Sequence, residues 1–338
     1  MRKLLLILFL CNYGSLSAQV FLSVDSFNYF DNAKWQKNTN GFDGIGCNFT
    51  NQNVTISDSS LKIIIDQNSD TTKNKQFLYN SGCVQGIPFY KYGYFCSRMK
   101  SDIINGTVSS FFLMNQWVPV DWIHKEIDIE FLGKNLQAVQ LTNHLIDTKT
   151  NNYQSSTATI SLPFSIAQDY HDFCILWTPD SVAWFADDQL LHVEKKFIPD
   201  EPMQIFMNHW NADTASVGMT DWLGGKINNI ELPSVVSYDN VTIQTLNQYF
   251  GISNGINAMK SSELKIYPNP VKQNFTISLN STYKINRIDI LNIINQTVYT
   301  KQITEEVEQI DISTLQPGAY FLKVQTAKGD IFKKIIKQ

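Results

Sequence analysis

Three carboxylate residues alternate with apolar residues in the segment 125–131, which reads KEIDIEF. In a β-strand, neighbouring side chains point to opposite faces, so Glu126, Asp128 and Glu130 share one face. Like charges this close oppose joint ionisation and raise the pKa of at least one carboxyl group. A glycosidase needs this combination, with one carboxylate ionised as nucleophile and one carboxyl protonated as general acid. A solvated strand face is the alternative, but such faces usually mix Lys and Thr with the acids.

The two glutamates are four residues apart, which separates their Cα atoms by about 13 Å along an extended strand. A retaining glycosidase needs carboxyl groups about 5–5.5 Å apart. We therefore expect both side chains to lean inward along a concave strand, with the shorter Asp128 between them hydrogen-bonding the nucleophile. Lys125 alternates to the other face, so we expect its cation to point away from Glu126.

The elements around this segment are predicted to be strands. Residues 19–246 contain many short runs of β-branched and aromatic residues bounded by Gly, Asn, Asp and Pro, and no long run of helical period. Short strands at this spacing predict one all-β jelly roll or sandwich. The predicted strands are 54–56, 61–65, 92–99, 108–113, 126–131, 157–160, 173–177, 182–185, 203–207 and 241–244.

Charge and composition exclude several classes of function. Residues 19–263 carry 15 Lys and Arg against 25 Asp and Glu. An acidic main body excludes nucleic acid as a partner, because phosphate binding needs a basic face. No Gly-rich phosphate loop lies between a strand and a helix, so a nucleotide site is not expected. All seven Trp fall within residues 35–222, which indicates a single aromatic-rich domain.

The start of the chain has the three parts of a secretory signal peptide in residues 1–18. Arg2 and Lys3 precede an apolar run over 4–11, and small residues over 15–18 form the cleavage site. The apolar run is too short to span a bilayer, and no later segment is long and apolar enough. We therefore expect export, no transmembrane segment and a monomer.

Four cysteines remain after residue 18, and an exported protein can form disulfides. They are Cys47, Cys83, Cys96 and Cys174. Sequence alone does not choose among the three possible pairings, and buried free thiols at Cys96 and Cys174 are an alternative. The absence of a CxxC motif or a Cys/His cluster gives no reason to expect zinc.

Residues 264–338 form a separate unit with 10 Lys and Arg against 6 Asp and Glu. Strand patterns over 274–279, 287–291, 297–302 and 320–325, with a Pro-Gly turn at 317–318, predict a small β-sandwich. Residues 247–263 have few apolar side chains and are predicted to be a linker. An appended carbohydrate-binding module is an alternative, but the unit has no Trp.

This C-terminal unit resembles the sorting domain of the type IX secretion system of Bacteroidota. The resemblance lies in YPNP at 267–270, LQPGAY at 315–320 and KKIIK at 333–337. It implies the type IX machinery as a partner and passage across the outer membrane. Removal of the domain would follow, with the protein released or held at the cell surface.

The segment KEIDIEFLGK at 125–134 resembles the signature of glycoside hydrolase family 16 in its unbulged Glu-x-Asp-x-Glu form. Residues 25–245 are similar to bacterial lichenases, the endo-β-1,3-1,4-glucanases, through VSSFF at 108–112, MNHW at 207–210 and DWLG at 221–224. VQLTN at 139–143 is nearer to the xyloglucan-active branch. The resemblance implies a concanavalin-like β-jelly-roll sandwich, followed here by the small β-sandwich of the sorting domain.

The resemblance also implies roles for individual residues. Glu126 would be the nucleophile, Asp128 its electrostatic helper and Glu130 the acid/base. The candidate substrate-binding residues are Asn208, Trp210, Trp222, Asn143 and His144. Trp177 and Trp184 are expected to be core residues. Residues 81–85, SGCVQ, lack the acidic residue and the Arg that lichenases carry there for sugar binding.

Two further expectations follow from the similarity to lichenases. Asp239 aligns with their ligand to a structural Ca²⁺ and is a candidate metal ligand, although the chemistry itself would require no cofactor. Cys47 and Cys83 lie where lichenases place a disulfide, so this pair is the favoured one.

We therefore interpret the chain as a secreted, retaining endo-β-glycosidase with a polysaccharide substrate. Mixed-linkage β-1,3-1,4-glucan is the leading substrate, followed by xyloglucan and laminarin. Laminarin is disfavoured because its enzymes usually carry a bulged signature. Transfer of the glycan to a sugar acceptor instead of water is an alternative reaction. A non-catalytic glycan-binding surface protein is the alternative from another class, and it predicts loss of at least one signature acid.

Overall fold

A computed structural model describes residues 22–42, 44–69, 77–115, 123–147, 152–249, 264–279, 284–292, 297–303, 307–326 and 329–338. The predicted signal peptide (1–18) and residues 250–263 of the predicted linker lie outside these residues. Within the described ranges, none of the helices has the length and apolar character needed to span a bilayer.

The described residues up to 249 form sixteen strands and three short helical segments. The strands are β1 (Leu22–Asp25), β2 (Trp35–Lys37), β3 (Cys47–Phe49), β4 (Val54–Ser57), β5 (Ser60–Gln67), β6 (Tyr79–Gly86), β7 (Gly93–Asp102), β8 (Thr107–Met114), β9 (Ile123–Leu132), β10 (Ala138–Asp147), β11 (Asn152–Ser161), β12 (His171–Thr178), β13 (Ser181–Ala186), β14 (Gln189–Glu194), β15 (Gln204–Asn211) and β16 (Ser234–Gln244). The helical segments are α1 (Val217–Trp222), a 3₁₀ turn (Asn229–Glu231) and α2 (Leu246–Tyr249).

Most of these strands belong to two antiparallel sheets. The first, here called the cleft sheet, has the strand order β11-β10-β9-β8-β15-β6. The second, here called the opposing sheet, has the order β5-β16-β7-β12-β13-β14. A short pairing between β5 and β6 connects the two sheets. The predicted all-β jelly-roll sandwich is confirmed.

Strand alternation fills the space between the sheets with apolar side chains. On β9, Ile127, Ile129 and Phe131 are buried in this core, which leaves the alternating carboxylates on the outer face. Trp177 and Trp184 are buried in the same core, as expected. The apolar half of the KEIDIEF pattern therefore fixes which face of β9 carries the acids.

The outer face of the opposing sheet is covered by α2. Leu246 and Tyr249 pack on an apolar cluster that includes Leu176 and Phe185. The Tyr249 ring stacks on Tyr94 with 4.6 Å between ring centroids. The first folded unit therefore extends to residue 249 and includes the first three residues of the predicted linker. The burial of Leu246 and Tyr249 on the sheet stabilises this extension.

The disulfide joins Cys96 to Cys174, so the favoured Cys47–Cys83 pair is wrong. Cys96 on β7 lies directly opposite Cys174 on β12, with 4.0 Å between the Cα atoms. Cys47 on β3 instead pairs with Tyr79 on β6, four residues before Cys83. The thiols of Cys47 and Cys83 are free and buried, and burial raises the pKa of each to about 12.

The C-terminal unit is a small β-sandwich with its own core, as predicted. The strands are β17 (Leu264–Tyr267), β18 (Asn274–Leu279), β19 (Ile285–Leu291), β20 (Thr297–Gln302), β21 (Val307–Asp311), β22 (Gly318–Thr326) and β23 (Gly329–Lys337). The two sheets have the orders β17-β18-β21 and β20-β19-β22-β23. The side chains of Phe275, Ile288 and Leu322 are among those buried in this core.

Candidate active site

A cleft of about 980 Å³ lies on the outer face of the cleft sheet. Its floor consists of outward-pointing side chains from β8, β9, β10 and β15, whose inward neighbours belong to the core. The segment between β2 and β3 adds Asn38, Asn40 and Phe42 to its lining. The cleft is large enough to hold several sugar rings, because small-molecule sites of about 300–1,000 Å³ hold drug-sized ligands.

The three signature carboxylates line this cleft together with His124. All four residues occupy alternate positions of β9, so the strand presents His124, Glu126, Asp128 and Glu130 in one row. The shared face predicted for the three acids is thus present in the structure.

Lys125 points away from this row, as strand alternation requires. Its side chain is 7% exposed, and its ammonium group contacts the carboxylates of Asp200 and Glu201, the latter at 3.2 Å. Burial opposes the charge, but the hydrogen bonds to these two acids outweigh it and raise the pKa of Lys125. The cation is therefore neutralised on the far side of the strand from Glu126.

Glu126 is held as an anion by its neighbours. The Nε2 atom of His124 lies 2.7 Å from Oε2 of Glu126. Burial alone would raise the pKa of Glu126, but the hydrogen bond to His124 and the charges of His124 and His144 outweigh it. A hydrogen bond to Asp128 acts in the same direction, and the pKa of Glu126 is lowered.

Asp128 is suited to carry a proton. It is 3% exposed, and its burial and the adjacent charge of Glu126 raise its pKa well above the usual value. His144 approaches from β10, with Nε2 3.2 Å from Oδ2 of Asp128. The Tyr153 hydroxyl lies 2.8 Å from Nδ1 of the same imidazole. A chain of polar contacts thus runs from β11 through His144 to the middle of the carboxylate row.

Glu130 is also suited to carry a proton. Burial, followed by the charges of Asp128 and Glu126, raises its pKa well above the usual value. Gln140 donates from Nε2 to Oε2 of Glu130 at 3.1 Å and accepts from the indole N–H of Trp222 at 3.1 Å. The row therefore combines a Glu126 of lowered pKa with a Glu130 of raised pKa, which is the difference between nucleophile and acid that a retaining glycosidase needs.

Aromatic rings form one side of the cleft. Trp210 lies between Phe42 and Trp222, with centroid distances of 4.9 Å and 5.9 Å. Such rings suit the apolar C–H faces of sugars. Asn208 is next to them, and its buried Oδ1 atom has no hydrogen-bond partner among the described residues. This oxygen can accept a hydrogen bond from a ligand hydroxyl.

Four of the five predicted substrate-binding residues line the cleft, namely His144, Asn208, Trp210 and Trp222. Asn143 does not. It occupies the alternate face of β10, is fully buried, and donates from Nδ2 to the Lys196 carbonyl at 3.4 Å. Because consecutive strand residues cannot share a face, Asn143 and His144 cannot both line the cleft.

Other cleft residues escaped the sequence analysis. They include His124, Gln140, Tyr153 and Phe42. For His124 a signal was present, because it lies two residues before Glu126 and so continues the same alternation. The other three lie outside the signature, and only the sheet order brings them to the cleft.

The segment 81–85 places Cys83 and Gln85 in the lining of the cleft. Gln85 accepts from Asn38 at 3.0 Å and donates to Gln204 at 3.0 Å. This wall therefore consists of amides rather than the charged pair that lichenases are expected to carry there.

Asp239 faces a cation that belongs to the protein. Its Oδ2 lies 3.3 Å from Nε of Arg98, whose guanidinium also lies 4.0 Å from Asp172. A Ca²⁺ site needs six to eight oxygen ligands. A guanidinium beside Asp239 does not fit such a site, so we assign no metal to it.

His209 lies beneath the cleft, on the core side of β15. It lies between Asn208 and Trp210 on β15 but points into the core. Nδ1 lies 2.9 Å from the Val108 carbonyl and Nε2 lies 2.9 Å from the Ser234 hydroxyl. Since a carbonyl only accepts, Nδ1 carries the proton. Burial lowers the pKa of His209 to about 4, so the imidazole is neutral at physiological pH.

Comparison with known protein families gives two matches. Residues 42–224 match glycosyl hydrolases family 16, and residues 265–338 match the secretion system C-terminal sorting domain. The first range contains the whole carboxylate row and the aromatic side of the cleft.

Comparison with individual proteins finds similarity to beta-glucanases. The chain is 34% identical to a beta-glucanase of Bacillus amyloliquefaciens over 239 residues, covering 66% of this chain and 92% of that protein. Among solved structures, Bacillus licheniformis beta-glucanase superposes with a TM-score of 0.57 and 28% identity, covering 66% of this chain and 98% of that one. A beta-1,3-1,4-glucanase (lichenase) from a mouse hindgut metagenome gives a TM-score of 0.58 and 26% identity, with coverage of 66% and 99%.

Proposed function

Because the chain belongs to family 16 of the glycosyl hydrolases, we propose that it is a retaining endo-β-glucanase acting on mixed-linkage β-1,3-1,4-glucan outside the cell. The observation that carries this proposal is the difference in pKa between the two glutamates of β9. Glu126 has a lowered pKa and Glu130 a raised one, and both line the same cleft. The sorting domain supports secretion or display at the cell surface.

The reaction proceeds in two displacements in this proposal. The ionised carboxylate of Glu126 attacks the anomeric carbon, and the bond from that carbon to the glycosidic oxygen breaks. Glu130 gives its proton to the departing oxygen. Glu130, now a carboxylate, then takes a proton from water while the water oxygen attacks the same carbon and releases Glu126. Two inversions retain the anomeric configuration.

Asp128 assists both steps from the middle of the row. Its protonated carboxyl bonds to Glu126, which favours the carboxylate before attack. Its carboxylate, when ionised, also raises the pKa of Glu130 and so favours the protonated form of the acid. These steps need no resident metal in this proposal, since Glu130 gives one proton to the glycosidic oxygen and takes one from water.

Three observations support a β-glucan as the substrate. The relatives with solved structures include proteins named as a beta-glucanase and a lichenase, and these are similar to the chain over two thirds of its length. The aromatic side of the cleft offers flat apolar surfaces to sugar rings. The amide wall at Gln85 introduces no charge, which suits a neutral glucan better than a sulfated or acidic polysaccharide.

A panel of polysaccharides tests the proposal. The protein spanning residues 19–338 is incubated with barley β-glucan, xyloglucan, laminarin and agarose, and the product sizes are measured. We expect barley β-glucan to be cut into short oligosaccharides by the wild type and not by Glu126→Gln. Glu231→Gln, which alters an exposed acid outside the cleft, is the matched control and should remain active.

Other outcomes redirect or reject the proposal. Cleavage of xyloglucan or laminarin alone would refute the mixed-linkage assignment and keep the chemistry. Products longer than the starting chains, formed with added oligosaccharide acceptors, would indicate transglycosylation. Binding without any cleavage would refute the enzymatic proposal and favour a glycan-binding protein.

A further inference from the structure

His124 is the first member of the cleft-facing row on β9, and nothing in the KEIDIEF signature includes it. It is 4% exposed, although it lines the cleft. The pairing of β8 with β9 ends at Met114 and Glu126, so His124 lies just beyond the last residue that β8 covers. On the other side it is opposite Ile146 of β10. The imidazole is thus enclosed next to the proposed nucleophile.

We propose that His124 is a positioning residue for Glu126, whose Oε2 atom it holds through an Nε2–H donor so that the carboxylate faces the sugar in one orientation. The inference rests on the proposed function of Glu126 and adds a residue to it. A glutamate has three rotatable side-chain bonds, so a nucleophile of this length needs a partner to fix its direction of attack. The 2.7 Å contact supplies that partner.

The direction of this hydrogen bond follows from chemistry. Glu126 must be ionised to attack, and an ionised carboxylate only accepts hydrogen bonds. The proton between the two groups therefore resides on Nε2 of His124. Hydrogen bonds to an ionised acceptor are stronger than neutral ones, so this contact also favours the anion over the acid.

The other charged groups near Glu126 do not replace His124. Asp128 and Glu130 follow on the same face of β9 and carry no nitrogen donor, although the Asp128 carboxyl adds a second hydrogen bond to Glu126. His144 on β10 has its short contact with Asp128 rather than with Glu126. Met114, opposite Glu126 on β8, is uncharged. Among these groups, His124 alone combines a nitrogen donor with a direct contact to Glu126.

A pair of variants at this position tests the proposal. His124→Leu removes the donor, whereas His124→Gln retains an uncharged N–H donor of similar reach. We expect Leu to lower kcat/KM on β-glucan by about 10- to 100-fold, which is the range of one hydrogen bond to a charged group. The loss should fall on kcat, with KM within about twofold, because the orientation of the nucleophile affects the transition state more than glycan binding. Gln should restore most of the activity.

The pH dependence gives a readout that loss of packing would not change. Without the donor and the charge of His124 the pKa of Glu126 rises, so the acid limb of kcat/KM should move to higher pH in His124→Leu and by a smaller amount in His124→Gln, which keeps the hydrogen bond but not the charge. His192→Leu is the matched control, because this histidine stacks on Trp184 in the opposing sheet, away from the cleft. It should leave both kcat/KM and the acid limb unchanged.

Titration of Glu126 by ¹³C NMR tests the role of His124 independently of the proposed function. The Glu126 signal is assigned by its loss in Glu126→Gln, and its pKa is compared in wild type, His124→Gln and His124→Leu. A wild type that cuts no glycan would refute the proposed function, yet a raised Glu126 pKa in the Leu variant would still support the role of His124. Equal Glu126 pKa values in all three proteins would overturn it. His124→Met serves as the donor-free variant if Leu does not fold.

Discussion

Acidification is expected to weaken the strand beneath the cleft, because β15 carries the buried imidazole of His209. Its pKa is about 4 in the folded protein, against an ordinary value of 6.5. A histidine with a lowered pKa binds its proton more readily in the unfolded chain. The stability from neutral His209 is therefore complete above pH 6.5 and is lost as the pH falls from about 6.5 to about 4.

The size of this effect follows from the two pKa values. Full protonation of the unfolded state but not the folded one costs about 3 kcal/mol, since one pKa unit corresponds to about 1.4 kcal/mol. At pH 4.5 most of this loss, about 2.5 kcal/mol, has already occurred. This is a large fraction of the 5–15 kcal/mol that is typical for a folded domain.

Urea unfolding followed by Trp fluorescence measures the effect. All seven Trp lie within residues 35–222, so the signal reports the first folded unit and not the sorting domain. The comparison protein is His209→Asn, whose amide can still donate to the Val108 carbonyl but cannot take up a proton. The variant is expected to be less stable than the wild type at pH 7.5, and the difference should shrink by about 2.5 kcal/mol at pH 4.5.

Comparison of the two proteins removes the contributions of other titrating groups, because both proteins share them. A difference in unfolding free energy that is the same at both pH values would refute the reasoning. It would mean that His209 takes up its proton equally well in the folded and unfolded states. The same result would remove the expected acid weakening of the strand that carries Asn208 and Trp210.

Four further predictions concern Asp128, α2 and the cysteines. At the basic limb of kcat/KM the Asp128 carboxylate, once ionised, opposes loss of the Glu130 proton, so Asp128→Asn should move that limb to lower pH; an unmoved limb would contradict this coupling. A chain ending at Thr245 lacks α2 and should be about 2–4 kcal/mol less stable in urea than one ending at residue 253; equal midpoints would show that α2 adds nothing. Alkylation of the unreduced, denatured 19–338 protein should label two cysteines by mass spectrometry, and labelling of Cys96 or Cys174 would disprove the bridge. Replacing both bridge cysteines by Ala should cost about 4 kcal/mol, because the bridge joins residues 78 apart.

The strands that the sequence predicts are those whose apolar residues alternate or cluster. β9 is the clearest case, because its acids and apolar residues separate cleanly onto two faces. β6 and β10 are not predicted. β6 reads YNSGCVQG, a composition typical of turns, and yet it is a buried strand between neighbours. On β10, Gln140, Thr142 and His144 face the cleft. They are polar at positions where a buried strand face would carry apolar residues, so the residue pattern does not predict this strand.

The disulfide and the cleft contacts between different strands depend on strand order, which the residue pattern within one strand does not indicate. Cys96 and Cys174 are 78 residues apart and meet only because β7 and β12 are neighbours in register. Gln140 reaches Glu130 for the same reason, since β10 pairs with β9 at that position. Spacing within one strand thus predicted the row of acids, whereas contacts across strands required the complete sheet.

The position of α2 determines how the enzyme is presented to its surroundings. The chain leaves the first folded unit at Tyr249, which packs on the outer face of the opposing sheet, whereas the cleft opens on the outer face of the other sheet. Whatever lies beyond residue 249 is therefore attached at the back of the enzyme. A tether at this end would meet the protein on the face opposite the cleft, so the attachment itself would not obstruct a polymer that enters the cleft.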